Sequence, residues 1–433
     1  MMQKEITLQL YIHGRWVDAA QVALLQSEGL GVLAPTYIAY GTNWAVEHAG
    51  SAGLPALATQ YPVSLIHIKR PHWPAFLVDL LPQGYGRAEL LRQLDKKPTS
   101  GPESDWLLLQ HGAGNPIGHM RVKQAADWLT QQTTPLQGFH DQDIVDRAES
   151  FVEHLAQFGL FVAGSSGVQG EWPKLLLTRG KDGKLYLDHT LPDEQTATHY
   201  IVKFSRGPNP RLASILRHEA AYMRIAKLAN LRVHELPTYN NGVLFIPRFD
   251  RSVQSNKVNR LAQESLASLL DIVGFDSNPS HNDVCVAICK HCANPLPELS
   301  EYLRRDVLNL ALGNKDNHAR NTAFTRDIHG NLQLTPLFDF APMVLHPDGI
   351  ARRMRWHQET ASVPQWAEVI RFIEQLQPGA TPYLIESLRS LTKPLTIVHK
   401  NPNEHGIEPE LFQIVGQHLT AQIKALNALE ALG

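Results

Sequence analysis

The sequence predicts an α+β fold in which a β-rich N-terminal part precedes a helical C-terminal part. Apolar and polar side chains alternate over residues 5–17, which is typical of an antiparallel strand pair. Short apolar runs separated by Pro and Gly follow at residues 30–34, 37–40 and 63–68. From residue 263 onward the pattern is helical apart from one polar segment, with amphipathic stretches at residues 366–375, 382–391 and 408–432.

Length and composition predict a globular, multi-domain protein. The chain has 433 residues, of which 43% are hydrophobic and 19% charged, and this length suggests two or three domains. The formal net charge is −2, so no overall field attracts the chain to nucleic acid. The first residues lack a signal-peptide pattern and no apolar run reaches 18 residues. We therefore expect a soluble, cytoplasmic protein without a membrane anchor.

The three cysteines lie close together at Cys285, Cys289 and Cys292. Their C-x3-C-x2-C spacing also occurs in iron–sulfur enzymes of the radical-SAM type. At helical pitch the three positions fall on one face, which favours three small apolar side chains on a buried helix. The odd count and the expected compartment argue against a disulfide framework.

Two acids and one amide follow a helical segment in the order that phosphoryl transfer requires. Residues 313–324 read GNKDNHARNTAF, in which Asn321 follows Asp316 by five positions, and Asp339 ends the run LQLTPLFD. Protein kinases place a catalytic aspartate and a metal-binding asparagine at this spacing, with a metal-binding aspartate after a hairpin. Asp316 would orient the acceptor hydroxyl, while Asn321 and Asp339 would bind Mg²⁺. Taken alone, however, this spacing is more often a locally hydrogen-bonded turn.

The same stretch resembles the HipA family of bacterial serine/threonine kinases, the toxin components of toxin–antitoxin pairs. The resemblance rests on Asp316-x-His318-x-Arg320-Asn321 and on the LTPLFD of residues 334–339. His318 is assigned to the nucleotide-binding set, where it supports the loop rather than transferring protons. The family's order of sheet, LLP turn, arginine-containing helix and IGxxR strand recurs in the N-terminal part. The resemblance implies an N-terminal subdomain (1–130), a kinase N-lobe (140–255) and a helical C-lobe (256–433).

A glycine- and serine-rich loop, GSSGVQGEWPK at residues 164–174, precedes the first strand of the central region. Such a loop can bring backbone N–H groups to phosphate oxygens, although more often it is only a turn. It resembles the SGxQxK phosphate loop of the family but contains three additional residues before the lysine, which leaves the position of that lysine open. We assign nucleotide contacts to Ser165, Ser166, Gly167, Val168, Gln169 and Lys174. Family members autophosphorylate a serine of this loop, so Ser165 or Ser166 is the expected acceptor here.

Two further motifs complete the predicted nucleotide site. Lys203 lies among hydrophobic residues in YIVKF and fits the lysine that neutralises ATP phosphates, with a surface lysine as the alternative. Glu219 lies within a helical stretch and could pair with Lys203, or could be a solvated carboxylate. The sequence IPRFDR resembles the family's hinge, in which the Pro247 carbonyl and the Phe249 N–H would contact adenine.

The resemblance implies a protein-kinase-like two-lobe fold and an ATP- and Mg²⁺-dependent serine/threonine kinase. Characterised family members phosphorylate aminoacyl-tRNA synthetases and are neutralised by a small helix-turn-helix antitoxin. The expected partners are therefore a protein substrate with a Ser or Thr acceptor and an antitoxin, with DNA contacted only indirectly. Nothing in the residues identifies the substrate. The alternatives are a catalytically weak binding module that acts with a DNA-binding antitoxin, and an iron–sulfur protein.

Overall fold

The structure is a computed structural model that describes residues 4–132, 135–147, 149–158, 174–205 and 209–432. Helices and strands alternate throughout it, which confirms the predicted α+β class. The strands are β1 (Glu5–Ile12), β2 (Arg15–Leu24), β3 (Thr36–Tyr40), β4 (Ile68–Arg70), β5 (Met120–Val122), β6 (Lys174–Gly180), β7 (Leu185–Leu187), β8 (Thr196–Phe204), β9 (Thr238–Asn240), β10 (Val243–Pro247), β11 (Arg251–Gln254), β12 (Lys257–Arg260), β13 (Ala262–Ser265), β14 (Ala323–Arg326), β15 (Leu332–Leu334), β16 (Glu359–Thr360) and β17 (Val363–Pro364).

The helices range from one turn to five. They are α1 (Thr42–Glu47), α2 (Ala75–Asp79), α3 (Gly84–Gln93), α4 (Asp105–Gly112), α5 (Lys123–Gln131), α6 (Asp141–Val145), α7 (Glu149–Phe158), α8 (Pro210–Leu228), α9 (Leu266–Leu269), α10 (His281–His291), α11 (Pro295–Leu312), α12 (Trp366–Leu376), α13 (Thr381–Arg389), α14 (Thr392–Lys400) and α15 (Pro409–Asn427). Among the described residues, no helix combines the length and the apolar character needed to cross a membrane.

The chain divides into two compact units. The first contains Met1–Ser205, Asn240–Ser277 and Ala323–Asn331, and the second contains Arg206–Tyr239, Asn278–Thr322 and Leu332–Gly433. The first unit therefore includes both the predicted N-terminal subdomain and most of the predicted N-lobe. The domain boundaries inferred from the sequence remain a prediction.

The described part of the first unit contains two larger antiparallel sheets beside the β11–β12 and β13–β14 pairs. One has the strand order β4-β3-β2-β1-β5, and its β1–β2 turn uses Gly14 at φ +80°. Alternate residues of β1, such as Leu8 and Leu10, are fully buried in a core that also contains Trp73 and Trp106, whose rings meet edge to face at 5.3 Å. The other contains β7, β6, β8 and β10 in that order. Val202 and Phe204 of β8 belong to the unit's smaller core. Lys203, between them, is buried on the opposite face of this sheet.

Helices dominate the second unit, and α11 is its buried axis. Leu303, Val307 and Leu308 on α11 have no exposed surface. α8 is anchored to the end of α11 because the Tyr222 hydroxyl donates to the Leu312 carbonyl at 2.6 Å. The C-terminal helices predicted from residue 366 onward are present, and short strands β15, β16 and β17 interrupt the helical pattern before them.

Candidate active site

The polar loop singled out in the sequence begins where α11 ends. Gly313 terminates this helix in the left-handed region, at φ +68°, which glycine adopts without the steric penalty of a side chain. A Cβ atom at this position would lie 2.9 Å from Val344 Cγ1. The chain then turns through Asn314, whose side chain accepts from the Asp316 N–H at 3.3 Å. The helix end therefore fixes where the loop starts.

Asp316 and Asn321 are tied together by the loop itself. The Asn321 side-chain nitrogen donates to the Asp316 carbonyl at 2.8 Å, and the Asn321 N–H donates to the His318 carbonyl at 3.0 Å. These bonds hold the Asn321 amide in one orientation. Its oxygen and the Asp316 carboxylate, whose side chain is 27% exposed, supply the acceptor atoms of the loop.

His318 caps the single turn of 3₁₀ helix that contains Asn321. Its Nδ1 accepts from the Arg320 N–H at 3.2 Å, so the ring proton is on Nε2, which lies 3.6 Å from Asp316 Oδ1. Burial lowers the pKa of His318, although the Asp316 and Asp339 charges act in the opposite direction. This geometry agrees with a supporting role and gives no direct evidence of a nucleotide contact.

Asp339 lies at the same cavity as Asp316 and Asn321 but belongs to a later segment of the second unit. Its backbone has φ +53°, a left-handed conformation that Asp tolerates better than most residues and that often marks functional sites. Two bonds fix the segment before it, from Arg305 Nη2 to the Thr335 carbonyl (2.7 Å) and from the Leu337 N–H to the Arg232 carbonyl (2.8 Å). The segment before Asp339 is therefore held by the helical scaffold.

Asp316, Asn321 and Asp339 line one cavity of about 30 Å³. This volume suits an ion or a water molecule and is far too small for a nucleotide. Two carboxylates and one amide oxygen form the donor set that Mg²⁺ prefers, because this ion binds oxygen ligands and retains several waters. The side chains present therefore fit a magnesium ion, and the structure brings the three residues together at one cavity. That they bind a metal ion stays a prediction.

A neighbouring asparagine that the sequence did not single out braces the loop. Asn317 is buried, accepts from the Arg353 N–H at 3.2 Å, and approaches both the Met354 carbonyl and His281 Nε2 at 3.4 Å. His281 in turn stacks on Trp356, with ring centroids 4.9 Å apart. These contacts join the loop to residues almost forty positions later. The sequence signal was weak, because an asparagine between two polar residues is ordinary in a turn.

Lys203 and Lys174 face each other on neighbouring strands of the first unit. Lys203 on β8 pairs directly with Lys174 on β6, and both side chains are buried. Directly opposite residues of an antiparallel pair point to the same face of the sheet, so two ammonium groups share one face. Despite the three additional residues before it, Lys174 therefore lies beside Lys203. A contact of either lysine with ATP stays a prediction.

The predicted hinge, residues 247–249, begins at Pro247, the last residue of β10. The Arg248 N–H, between Pro247 and Phe249, donates to the His199 carbonyl at 2.9 Å. Its side chain forms a bidentate ion pair with Asp250, at 2.9 and 2.6 Å. The backbone between the two predicted adenine contacts is thus fixed by a side chain that has no exposed surface.

The remaining predicted site residues have separate outcomes. Glu219 is buried on α8 of the second unit, whereas Lys203 belongs to the first unit, so their pairing stays a prediction. The remaining loop residues, Ser165, Ser166, Gly167, Val168 and Gln169, lie outside the described residues.

The cysteines differ in one respect from the prediction. Cys285 and Cys289 lie on α10, but Cys292 follows its end in an extended conformation, so the three do not share one continuous helix face. Burial raises the pKa of all three thiols, that of Cys292 to about 12. The burial of Cys285 and Cys292 agrees with their interpretation as small apolar side chains.

Three comparisons place this site in a family. Residues 166–390, slightly more than half of the chain, match the family described as HipA-like C-terminal domain. The protein named "Putative kinase Y4mE" from Sinorhizobium fredii (strain NBRC 101917 / NGR234) is 27% identical over 263 residues, 57% of this chain and 60% of that relative. The chain thus spans less than two thirds of that relative's length.

A solved structure extends the likeness to the whole chain. A chain in the complex of HipA, HipB and operator DNA from the Shewanella oneidensis MR-1 toxin antitoxin system matches with a TM-score of 0.64 and 17% identity. The match covers 98% of this chain and 97% of that chain, and at this identity it establishes the fold. Because the family match covers more than half of the chain, including residues 313–339, the chain belongs to the HipA-like family.

Proposed function

We propose that this protein is an ATP- and Mg²⁺-dependent kinase that phosphorylates a Ser or Thr hydroxyl of a protein substrate. The observation that carries the proposal is the convergence of Asp316, Asn321 and Asp339 on one small polar cavity. Two carboxylates and an amide at this spacing match the arrangement that kinases use for phosphoryl transfer. The family membership agrees with this assignment.

Each residue of the loop has a distinct role in the proposed reaction. The Asp316 carboxylate accepts a hydrogen bond from the acceptor hydroxyl and orients its oxygen toward the γ-phosphorus. Asn321 and Asp339 would hold Mg²⁺, which supplies the positive charge that offsets charge on the transferring phosphoryl group. His318 and Asn317 keep the loop in place. Because little covalent chemistry is required of the protein, positioning and electrostatics provide most of the rate enhancement.

The lysines of the first unit would bind the phosphates of ATP. Their ammonium groups lie on one face of the sheet that β6 and β8 form. Two neighbouring ammonium groups can contact several oxygens of one ligand at once, so Lys203 and Lys174 suit a polyphosphate better than a single carboxylate.

The hinge would bind adenine through the backbone. We assign the Pro247 carbonyl to the exocyclic amine and the Phe249 N–H to a ring nitrogen, since proline lacks an N–H but retains its acceptor. The ion pair of Arg248 with Asp250 holds this segment in one conformation before the nucleotide binds.

Phosphoproteomics of cells that express the native chain beside an Asp316→Asn version tests the function. We expect one or a few Ser or Thr sites to gain phosphate only with the native chain, and a translation-related protein among them. The purified chain should phosphorylate that protein with MgATP. Equal phosphorylation by both versions would contradict the role of Asp316. No ATP turnover by the native chain would show that the chain acts as a binding module instead.

We also propose a DNA-binding antitoxin partner. The matched chain from Shewanella oneidensis MR-1 comes from a complex that contains HipB and operator DNA. Co-expression with a small helix-turn-helix protein encoded beside this chain should yield a stable complex on size-exclusion chromatography. Separate elution of the two proteins at micromolar concentration would argue against the partnership.

Self-phosphorylation in the loop is the last element of the proposal. Ser165 and Ser166 flank glycines in a segment that, by its resemblance, contacts ATP phosphates. A phosphate there adds about −1.5 to −2 charges and would repel the nucleotide. Intact mass spectrometry after incubation with MgATP, followed by peptide mapping, should find one added phosphate on either serine. Active enzyme without added phosphate would contradict this element alone.

A further inference from the structure

The first unit contains a second cavity whose lining shares no residue with the candidate active site. Its volume is about 430 Å³, within the range of small-molecule sites. Its lining includes Trp16, Arg121 and Leu129, together with Arg260 and the turn after β7 that contains His189. The cavity is therefore formed by residues from both the N-terminal sheet region and the second sheet of the same unit.

Two arginines share the aromatic wall of this cavity. The guanidinium carbon of Arg121 lies 4.2 Å from the centre of the Trp16 ring, and that of Arg260 lies 5.1 Å from the same ring. Arg260 also lies over Tyr11, at 4.9 Å. An indole face attracts cations, so one ring holds two like charges near each other.

The neighbours of these arginines only partly neutralise them. Arg121 donates from Nε to the neutral amide of Gln9 at 2.8 Å. Nε and Nη1 of Arg260 are buried, and neither has a hydrogen-bond partner in the described part of the chain. Burial and the charge of Arg260 lower the pKa of Arg121 to about 10, and burial also lowers the pKa of Arg260. Both cations are therefore held in an environment that disfavours their charge.

The carboxylates of the cavity wall make their close contacts with other side chains. Asp188 forms ion pairs with Arg251 (2.6 Å) and Arg248 (3.2 Å) in the buried cluster behind the wall. Asp193 accepts from the Tyr11 hydroxyl at 3.2 Å. Burial lowers the pKa of His189 to about 4, so this side chain is neutral near pH 7. Asp188 and Asp193 act on Arg260 electrostatically, but among the described residues neither forms an ion pair with Arg121 or Arg260, so both guanidinium groups keep donors for a ligand.

We propose that this cavity binds a small organic anion, with a carboxylate or phosphate group at Arg121 and Arg260 and an apolar body against Trp16 and Leu129. Guanidinium groups bind both oxyanions through paired N–H donors, so the structure defines the shared chemistry of the head group. Trp16 and Leu129 form the apolar part of a mainly polar lining, so a ring or short chain gains contacts there that an inorganic ion would not make. The inference does not depend on the proposed kinase activity.

Saturation-transfer NMR on the full chain tests the proposal with three probes that share a phenyl ring: benzoate, phenyl phosphate and uncharged benzyl alcohol. Each probe is measured with the native protein, with Arg121→Gln and with Arg260→Gln. Two separate variants are used so that the test remains decisive if one of them does not fold. Arg179→Gln is the matched control, because Arg179 also lies over an aromatic ring (Tyr200, 5.3 Å) but is paired with Asp141. A parallel series contains excess non-hydrolysable ATP analogue.

We expect a signal from at least one anion at millimolar concentration, weakened about tenfold in affinity by either cavity substitution and unchanged in Arg179→Gln. Benzoate and phenyl phosphate distinguish the two head groups. Four outcomes overturn the proposal: no signal from either anion, an equal signal from benzyl alcohol, binding unaffected by both substitutions, or displacement by the nucleotide analogue. The last would place the probe in the proposed ATP site.

Discussion

The two units each contain a cluster of buried or half-buried charged side chains, and the clusters use their charges differently. In the first unit, Asp188 accepts from Thr178, Asn115 and Arg251 at 2.6–2.7 Å. Its oxygens are surrounded by donors of the protein itself. Burial alone would raise the pKa of Asp188, but the Arg251 and Arg248 charges hold this pKa well below its ordinary value.

The carboxylates of the second unit are arranged in the opposite way. The hydrogen bonds that hold Asp316 in place involve its backbone N–H and carbonyl groups, which leaves its carboxylate at the cavity. Asp339 lines the same cavity in a left-handed backbone conformation. Aspartates whose carboxylates are surrounded by protein donors stabilise a fold, whereas aspartates held through their backbone can serve a ligand. The comparison predicts that substitutions in the two clusters will have opposite consequences.

Asp339→Asn should produce the largest effect on activity. The change removes a metal-binding charge, so we expect phosphoryl transfer to fall on the order of 10³-fold or more. The melting temperature should remain nearly unchanged, because removing one of two neighbouring carboxylates also relieves repulsion. Kinase assays and thermal unfolding of the purified variant measure both. The matched control is Asp348→Asn, an exposed aspartate near the site in sequence. Full activity in Asp339→Asn would contradict the metal assignment.

Lys203→Ala and Asp316→Ala should separate binding from chemistry. Loss of a charged contact with the phosphates should weaken ATP binding by about tenfold or more in Lys203→Ala. Asp316→Ala should retain ATP affinity and reduce kcat by about 10²–10⁴, because its interaction with the hydroxyl strengthens in the transition state. Calorimetry and steady-state kinetics distinguish the two. Equal losses of ATP affinity would refute the division of roles.

Asp188→Asn should lower the stability of the folded protein rather than its activity. Neutralising Asp188 in this buried ion-pair cluster leaves Arg248 and Arg251 to share Asp250, for which we expect a loss of about 3–5 kcal/mol. Asp316→Asn, at the cavity of the second unit, should change stability by less than about 0.5 kcal/mol. Urea unfolding followed by tryptophan fluorescence compares the two. Equal stabilities would mean that the cluster of the first unit is not structural.

The sequence predicted the placement of the loop residues better than the contacts that support them. The proximity of Asp316 and Asn321 was predictable because both lie on one short loop, where spacing along the chain nearly determines spacing in the fold. The Lys174–Lys203 pair could not, since it depends on the register between β6 and β8. Asn317 acts through Arg353, far away in the chain.

The fold class was likewise predictable, whereas one helix was not. Amphipathic periodicity identified α12, α13 and α15. The segment around Pro394 could not be assigned, because proline usually interrupts a helix. In the structure Pro394 is the third residue of α14. In the first turn the missing N–H has no helical partner to lose, so proline is tolerated there.

The smallest predicted effect concerns pH and a buried histidine of the first unit. His119 is almost completely buried, and burial together with the Arg326 charge lowers its pKa from 6.5 to about 3. The unfolded chain therefore binds a proton at higher pH than the folded chain does. His119 contributes stability that is fully present above about pH 6.5 and is lost progressively as the pH falls toward 3.

His119→Gln should reduce this pH dependence. Glutamine can still donate to the Leu54 carbonyl, which His119 Nε2 approaches at 3.2 Å, but it does not titrate. The melting temperature of the variant should therefore fall less than that of the native chain between pH 6.5 and 4.5. His357→Gln, at an exposed position, should leave the native slope unchanged. Thermal unfolding at half-unit pH intervals measures all three proteins. Parallel curves for His119→Gln and the native chain would show that His119 does not contribute to acid sensitivity, and that other buried groups of the first unit carry it.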